Sequence, residues 1–100
     1  MKVLNSKEAD STLFDSWKVG GLNNIKYSDL FRILGQPTYN MESGDRKTQV
    51  EWWINLDGEY FTIYDWKTYD REFTLNELDI WSVGGRTNPN KLIEFIYSKK

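Results

Sequence analysis

The stretch GGRTNPN at positions 84–90 carries residues that could hold an anion. Its first five members directly precede a predicted helix N-terminus: Gly84, Gly85, Arg86, Thr87 and Asn88. Such an end presents unpaired N–H groups and a positive dipole, glycine allows close approach, and arginine can hold a phosphate or carboxylate with two parallel hydrogen bonds. The stretch is neither a Walker A loop nor a G-x-G-x-x-G fingerprint, so a plain turn and helix cap is the competing interpretation.

Four aromatic residues form a second candidate ligand site. Trp53, Tyr60, Tyr64 and Trp66 fall on one face of a predicted hairpin. Each combines an apolar ring with a polar tip, and such rings could line a pocket and stack a nucleotide base. The alternative is that a helix covers this face, since aromatics in small domains are often core residues.

The sequence offers few groups for catalysis. It contains no histidine and no cysteine, which removes the most frequent general base and the thiolate nucleophile. Five carboxylates could supply an acid–base pair or bind a divalent metal: Asp65, Asp70, Glu72, Glu77 and Asp79. Their spacing fits no known motif, so we interpret residues 67–79 as a solvated, charged loop. We predict a protein with no enzymatic activity, no cofactor and no metal site.

Composition limits the size of the protein and the kinds of partner it can have. One hundred residues suffice for one domain with a modest core, which we assign to 1–100. The formal net charge of −2 argues against a general nucleic-acid binder, which normally carries a basic patch. No segment resembles a signal peptide or a membrane span, so we expect a cytoplasmic protein without a membrane partner.

A β-hairpin is the clearest element, at about 47–67. Asp57 and Gly58 separate two β-branched and aromatic runs, which predicts a tight type I′ turn. The two-residue loop sets the register, and alternation then defines a core face made of Val50, Trp52, Ile54, Phe61 and Ile63. Asp65 falls on this apolar face too, and we expect it at the end of the sheet as a hydrogen-bonded structural group.

Two helices flank this hairpin. The first is predicted at about 28–34, with Ser28 as N-cap and Gly35 at its end. The second is predicted at about 89–98, capped by Asn88.

Weaker signals predict a strand near 78–83, an edge strand at 2–4, one helical turn within 6–16 and a polar, mobile loop at 40–47. The fold class is therefore α+β, a small antiparallel sheet with two helices packed on it.

A pentapeptide occurs twice, as WKVGG at 17–21 and WSVGG at 81–85. A β-branched residue followed by two glycines is expected to end a strand in a turn that needs a permissive backbone. The tryptophan two positions before the valine would share a strand face with it.

The segments LGQPTYN, QVEWWINLDGEYFTIYDWK and IWSVGG resemble small uncharacterised proteins encoded by tailed bacteriophages. In these, a helix ends in Phe/Leu-Gly-x-Pro, a Trp-bearing strand leads to a TIYDWK-like strand, and Trp-x-x-Gly-Gly follows. The resemblance covers roughly residues 27–85. Ser82 stands where histidine is common in those proteins, so a role built on that histidine is absent here. The resemblance implies a phage accessory gene acting in the infected bacterial cell, and it implies no particular activity.

Two functions from different classes fit this sequence. The first is a non-catalytic counter-defence protein that sequesters a small anionic ligand, such as a cyclic nucleotide immune signal. The alternative is a protein–protein inhibitor of a host defence enzyme, anchored by exposed Trp and Tyr. A hydrolase or metal enzyme that uses the carboxylates is the weakest of the candidates. Small sequestering proteins often build pockets between subunits, so we also expect a homo-oligomer.

Overall fold

The computed structural model describes residues 1–12, 14–44 and 47–100 and confirms the α+β class. Within them, five strands form one antiparallel sheet in the order β1-β3-β4-β5-β2. The elements along the chain are β1 (Lys2–Val3), α1 (Ser6–Asp10), β2 (Trp17–Asn23), α2 (Tyr27–Leu34), β3 (Glu51–Leu56), β4 (Glu59–Tyr64), α3 (Arg71–Asn76), β5 (Ile80–Gly85) and α4 (Asn90–Lys99).

The hairpin β3–β4 has the predicted register, with Ile54 opposite Phe61. Asp57 and Gly58 have φ angles of 54° and 88°. A type I′ turn requires positive φ at both central residues, and Asp and Gly are among the few that accept it. The side chain of Asn55 adds to the turn by accepting the N–H of Gly58 at 2.9 Å.

The predicted core face is confirmed. The five hairpin residues assigned to it are buried, and helices α2 and α4 pack over them with Leu30, Leu34, Leu92 and Ile96. Trp52 and Trp81 meet edge to face at 5.9 Å between ring centroids. Both indole N–H groups donate to backbone carbonyls, those of Gly35 at 3.0 Å and Ile25 at 2.9 Å. Two large rings are thus buried without an unpaired polar atom.

Asp65 closes the end of the hairpin, as predicted. Its buried carboxylate accepts the backbone N–H groups of Gln49 and Val50 at 2.8 and 2.9 Å. It also accepts the hydroxyls of Thr68 at 2.5 Å and Thr74 at 3.1 Å. A buried charge is tolerated when donors surround it in this way.

The interpretation of residues 67–79 as a plain loop is wrong, because helix α3 lies within them. The carboxylate of Asp70 accepts the N–H of Phe73 at 3.0 Å and caps the helix. Thr74, in the helix, is buried against Asp65. One and a half turns are too short to show a helical period in the sequence, and tertiary contacts supply the missing stability.

Strand β2 pairs with β5 and brings the two pentapeptides side by side, with Trp17 opposite Gly85 and Gly21 opposite Ser82. Strand β5 ends at Gly85, as the pentapeptide predicts, whereas β2 continues past Gly21 to Asn23. The expected need for a permissive backbone is wrong at both glycine pairs. All four of these glycines lie within β2 or β5, and the glycines with positive φ among the described residues are Gly35 and Gly58.

Packing against β4 explains why glycine occupies positions 84 and 85. A Cβ added at Gly84 would lie 2.5 Å from Oγ1 of Thr62, and one at Gly85 would lie 2.7 Å from the ring of Phe61. Both distances are shorter than any real contact, so β5 makes space at these positions for side chains of β4.

The helix predictions hold within one residue at each end. Helix α4 begins at Asn90. Its N-cap is Pro89 and not Asn88 as predicted, although Asn88, just before it, accepts the N–H of Asn90 at 2.8 Å. Ser28 is not the N-cap of α2. That position belongs to Lys26, whose N–H donates to the Asp29 side chain at 3.2 Å.

The short N-terminal elements, β1 and α1, are confirmed. The loop predicted at 40–47 includes Asp45 and Arg46, which lie outside the described residues.

We expect Trp52→Ala to lower the free energy of unfolding by about 3 to 5 kcal/mol, because it removes a large, fully buried ring and leaves a cavity. Denaturant unfolding followed by circular dichroism measures this loss. Trp66→Ala is the matched control, and its effect should be much smaller because Trp66 is exposed. Equal losses at both positions would contradict this assignment of the two rings.

Candidate functional site

The fold separates the nine predicted ligand-binding residues into different places. Arg86, Thr87 and Asn88 line a cleft of about 590 Å³ beside the start of α4. The opposite wall comes from β2, and the lining includes Trp17, Lys18, Gly20, Pro89, Asn90 and Ile93. We call this the Trp17–Arg86 cleft.

Strand pairing explains why the Trp17–Arg86 cleft forms. Because Trp17 lies opposite Gly85, the next residue of the chain, Arg86, is placed beside it. A Cβ added at Gly20 would lie 3.0 Å from the ring of Pro89. The glycine therefore lets the start of α4 pack closely against β2 and close one side of the cleft.

Trp17 and Arg86 both line this cleft, and the guanidinium lies over the indole ring. Trp17 is 58% exposed, and the guanidinium carbon of Arg86 lies 6.0 Å from its ring centroid, at the limit of a cation–π contact.

The cleft is electropositive on a chain that is slightly acidic. It contains Lys18 and Arg86, and no carboxylate is found among the described residues that line it. The first helical hydrogen bond of α4 runs from Ile93 N–H to the Pro89 carbonyl at 3.0 Å. The N–H groups of Lys91 and Leu92 precede this bond, so they add the partial positive charge of a helix N-terminus. Two cations and a helix dipole suit an anion.

Glu59 is an acidic neighbour of the cleft. It accepts the hydroxyl of Thr87 at 3.1 Å and lies beside Asn88 and Asn90 as well. This bond holds the loop between β5 and α4 and orients Thr87.

Gly84 and Gly85 are buried within β5 and lie beneath side chains of β4, as described above. We therefore assign them to packing of the sheet. This corrects the reason for which they were predicted, namely close approach of the backbone to a ligand.

Two aromatic residues outside the strands, Phe14 and Tyr39, cover part of the aromatic face. The ring of Phe14 lies 5.9 Å from Trp53 and 5.6 Å from Tyr60, and Tyr39 meets Trp53 at 6.3 Å. Tyr60 also borders a smaller cleft of about 310 Å³ together with Arg86 and Thr87. Of the four predicted aromatics, Tyr60 is thus the one that shares a cleft with Arg86.

Tyr64 and Trp66 lie at the other end of β4. Tyr64 follows Tyr60 by four positions, a distance of about 13 Å along a strand. Trp66 is exposed, meets Tyr64 at 6.0 Å, and has the ammonium groups of Lys47 and Lys67 at 5.6 and 5.5 Å from its ring centroid. These rings do not join the Trp17–Arg86 cleft.

A half-buried carboxylate, Glu51, lies on the aromatic face opposite Tyr64. Burial raises the pKa of Glu51 above its ordinary value, the indole of Trp53 lowers it, and the charge of Asp65 raises it further. The buried N–H of Trp53 meets no acceptor at full hydrogen-bond geometry among the described residues, so its contact with Glu51 offsets only part of the effect of burial.

Two further arrangements are absent from the part of the chain that the structure describes. No three acidic side chains converge as they would around a metal ion. No helix has the length and apolar character needed to cross a membrane.

Sequence reasoning missed Trp17 and Lys18 as site residues, and it missed Phe14 as a cover for Trp53. The repeated W-x-V-G-G segment was the available signal for the first two. Two such segments in neighbouring antiparallel strands place the tryptophan of one next to the residues that follow the other.

Comparison with protein-family models, with curated proteins and with solved structures gives no match. The function is therefore inferred from the geometry of the site.

We expect Glu51→Gln to raise the free energy of unfolding at neutral pH. A carboxyl group with a raised pKa binds its proton more tightly in the folded state than in the unfolded state. The fold is therefore stabilised as the pH falls through that pKa, and above it the ionised group lowers stability. Denaturant unfolding over a range of pH values measures the difference between the two proteins. It should vanish below the ordinary pKa of a glutamate, where both states are protonated, and grow until the pH passes the raised pKa of Glu51. A difference independent of pH would contradict this assignment.

Proposed function

We propose that this chain is a non-catalytic binding protein that sequesters a small anionic ligand with a planar group, such as a cyclic nucleotide, in the Trp17–Arg86 cleft. One observation carries the proposal. An exposed indole and a guanidinium face each other at 6.0 Å within an electropositive cleft. The indole can stack a base while the guanidinium pairs with a phosphate.

The contacts available in the cleft suit the two parts of a nucleotide. Stacking of one base on an aromatic side chain contributes about 1 to 3 kcal/mol. Arg86 can hold a phosphate with two parallel hydrogen bonds, and Lys18 and the start of α4 add positive charge. The cleft is largely open to solvent, and its volume of about 590 Å³ falls within the range of small-molecule sites.

The chemistry of the lining supports binding rather than turnover. The described residues around the cleft offer donors and cations, and they include no carboxylate that could act as a general base. The chain also contains no histidine and no cysteine. A bound ligand would therefore be held unchanged, and its free concentration would fall.

The resemblance to tailed-bacteriophage proteins supplies the biological setting of the proposal. An accessory protein that removes a nucleotide immune signal would act as a counter-defence factor in the cytoplasm of the infected bacterium. Sequestration of this kind requires no catalytic group and depends on affinity and protein concentration.

A thermal-shift screen against cyclic dinucleotides and trinucleotides tests the proposal directly. A ligand that binds the folded chain raises its melting temperature by mass action. The absence of a shift with every nucleotide would remove this function.

We expect Arg86→Ala to weaken binding of the nucleotide found in this screen by about 1.5 to 3 kcal/mol, the contribution of a hydrogen bond to a charged group. Calorimetric titration measures the change. Folding should be nearly unaffected, because Arg86 is exposed. Arg86→Lys keeps the charge and loses the planar fork, so a contact through two hydrogen bonds should also suffer there. Unchanged affinity in Arg86→Ala would exclude this cleft.

We expect Trp17→Ala to weaken the same binding by about 1 to 3 kcal/mol through loss of stacking. Trp66→Ala is the matched control, because it removes an equally exposed indole outside the cleft. Titration of both variants with the same nucleotide separates a specific platform from a general effect of surface tryptophan. Equal losses in the two variants would argue against stacking on Trp17.

A further inference from the structure

A second cleft adjoins the Trp17–Arg86 cleft at the end of β5. It has a volume of about 310 Å³, and its lining consists of Phe14, Gly58, Glu59, Tyr60, Arg86 and Thr87. We call it the Tyr60 cleft. Arg86 and Thr87 belong to the lining of both clefts, so the two clefts meet at this pair of residues.

Strand pairing explains why the two clefts meet at Arg86. Gly85 lies opposite Trp17 on one side and opposite Phe61 on the other. In an antiparallel pair, the residue after Gly85 comes beside the residue before Phe61. Arg86 is therefore placed next to Tyr60 as well as next to Trp17. Neighbouring strands lie about 4.8 Å apart, so the strands that carry Trp17 and Tyr60 are separated by about 10 Å.

The two clefts open on different faces of the sheet. Helix α4, which packs on the core face, borders the Trp17–Arg86 cleft through Pro89 and Ile93. Tyr60 points to the aromatic face, since it alternates with the buried Phe61. The loop that carries Arg86 is therefore reached from both faces.

The Tyr60 cleft offers aromatic surface. The rings of Phe14 and Tyr60 lie 5.6 Å apart between centroids and are tilted by 51°. Both residues are half-buried, so packing fixes them while part of each stays accessible. Aromatic rings on a protein surface stack nucleotide bases with little regard to base identity. The volume of this cleft lies at the lower end of the range for small-molecule sites, which suits a group the size of one base.

Charge distinguishes the two clefts. The Trp17–Arg86 cleft contains Lys18, and no carboxylate is found among the described residues that line it. The Tyr60 cleft contains Glu59, whose carboxylate accepts the hydroxyl of Thr87 at 3.1 Å. A phosphate is therefore attracted to the Lys18 side and repelled from the Glu59 side, whereas an uncharged base is admitted to both. Arg86 stands at the boundary, where a phosphate between two bases would lie.

We infer that the ligand of this protein is a dinucleotide, whose two bases occupy the two clefts and whose linking phosphate pairs with Arg86. This inference rests on the function proposed above and names the class of nucleotide. Proteins that bind single strands splay neighbouring bases onto separate aromatic side chains. Here the first base stacks at Trp17 and the second at Tyr60. A mononucleotide would fill one cleft and leave the other empty.

Calorimetric titration with matched pairs of nucleotides tests this inference. Cyclic di-AMP, cyclic di-GMP and cyclic di-UMP are each compared with the mononucleotide of the same base, AMP, GMP or UMP. A phosphomonoester carries about −1.5 to −2 charges at neutral pH, close to the charge of the two phosphodiesters of a cyclic dinucleotide. Charge is thus nearly equal within each pair. The dinucleotide should bind about tenfold or more tightly than its mononucleotide, the effect of one further stacked base.

Substitution of Tyr60 separates the two clefts. Tyr60→Ala should lower the affinity for the dinucleotide to that of the mononucleotide. It should leave the mononucleotide affinity unchanged, because the single base stays at Trp17, whereas Trp17→Ala should weaken both. Tyr60→Leu keeps apolar bulk in the sheet and takes the place of Tyr60→Ala if that variant does not fold.

Tyr64→Ala is the matched control for these substitutions. It removes a half-buried tyrosine from the same face of β4, outside both clefts. Its affinities for the dinucleotide and the mononucleotide should equal those of the wild type. Melting curves confirm that each variant is folded.

The possible results separate this inference from the function on which it rests. Equal affinities within each pair overturn the dinucleotide and leave nucleotide sequestration standing. A tighter dinucleotide whose affinity survives both Tyr60→Ala and Tyr60→Leu also overturns the inference, because the second base then lies elsewhere. Binding of none of these nucleotides overturns it too. If the cyclic trinucleotides of the screen also fail to bind, the proposed function falls with it.

Discussion

The buried carboxylate of Asp65 is the constraint on which the start of β3, the loop after β4 and helix α3 depend. An ionised group without solvent would cost several kcal/mol if its donors were missing, so the chain must bring them to it. It does so from the segment before β3, from the loop after β4 and from α3. The start of the hairpin, the short helix and the aromatic segment between them are therefore one cooperative unit. Loss of any of these donors would loosen all three.

The hairpin and the two long helices could be predicted from sequence because their signals are local. Asp57-Gly58 specifies its turn without reference to the rest of the chain, and alternation then assigns each side chain to a face. Strand β2 has no such signal, because it is rich in glycine and its partner β5 lies about sixty residues later in the chain. Helix α3 has six residues, fewer than two turns, and depends on Asp65 rather than on its own periodicity.

The residues of the candidate site divide in the same way, into those with a local sequence signal and those without one. Arg86, Thr87 and Asn88 were found because they precede a helix, which is a local pattern. Trp17 required knowledge of which strands are neighbours. Alternation assigned Trp53, Tyr60, Tyr64 and Trp66 to the correct face. It could not show that Phe14 covers Trp53, or that Tyr64 and Trp66 lie far from Tyr60. A face is a property of one strand, whereas a pocket is a property of several.

The pairing of β2 with β5 has a consequence for the order in which this protein is assembled. The sheet pairs β2 with β5, which lies about sixty residues later in the chain. Strands so far apart in sequence pair slowly, because a long loop must close first. During synthesis, β2 must wait without its partner until β5 (Ile80–Gly85) has left the ribosome. The β3–β4 hairpin, by contrast, can form as soon as it emerges. The Trp17–Arg86 cleft thus forms after the hairpin on the nascent chain, and a copy that stops before β5 would carry the hairpin without the cleft.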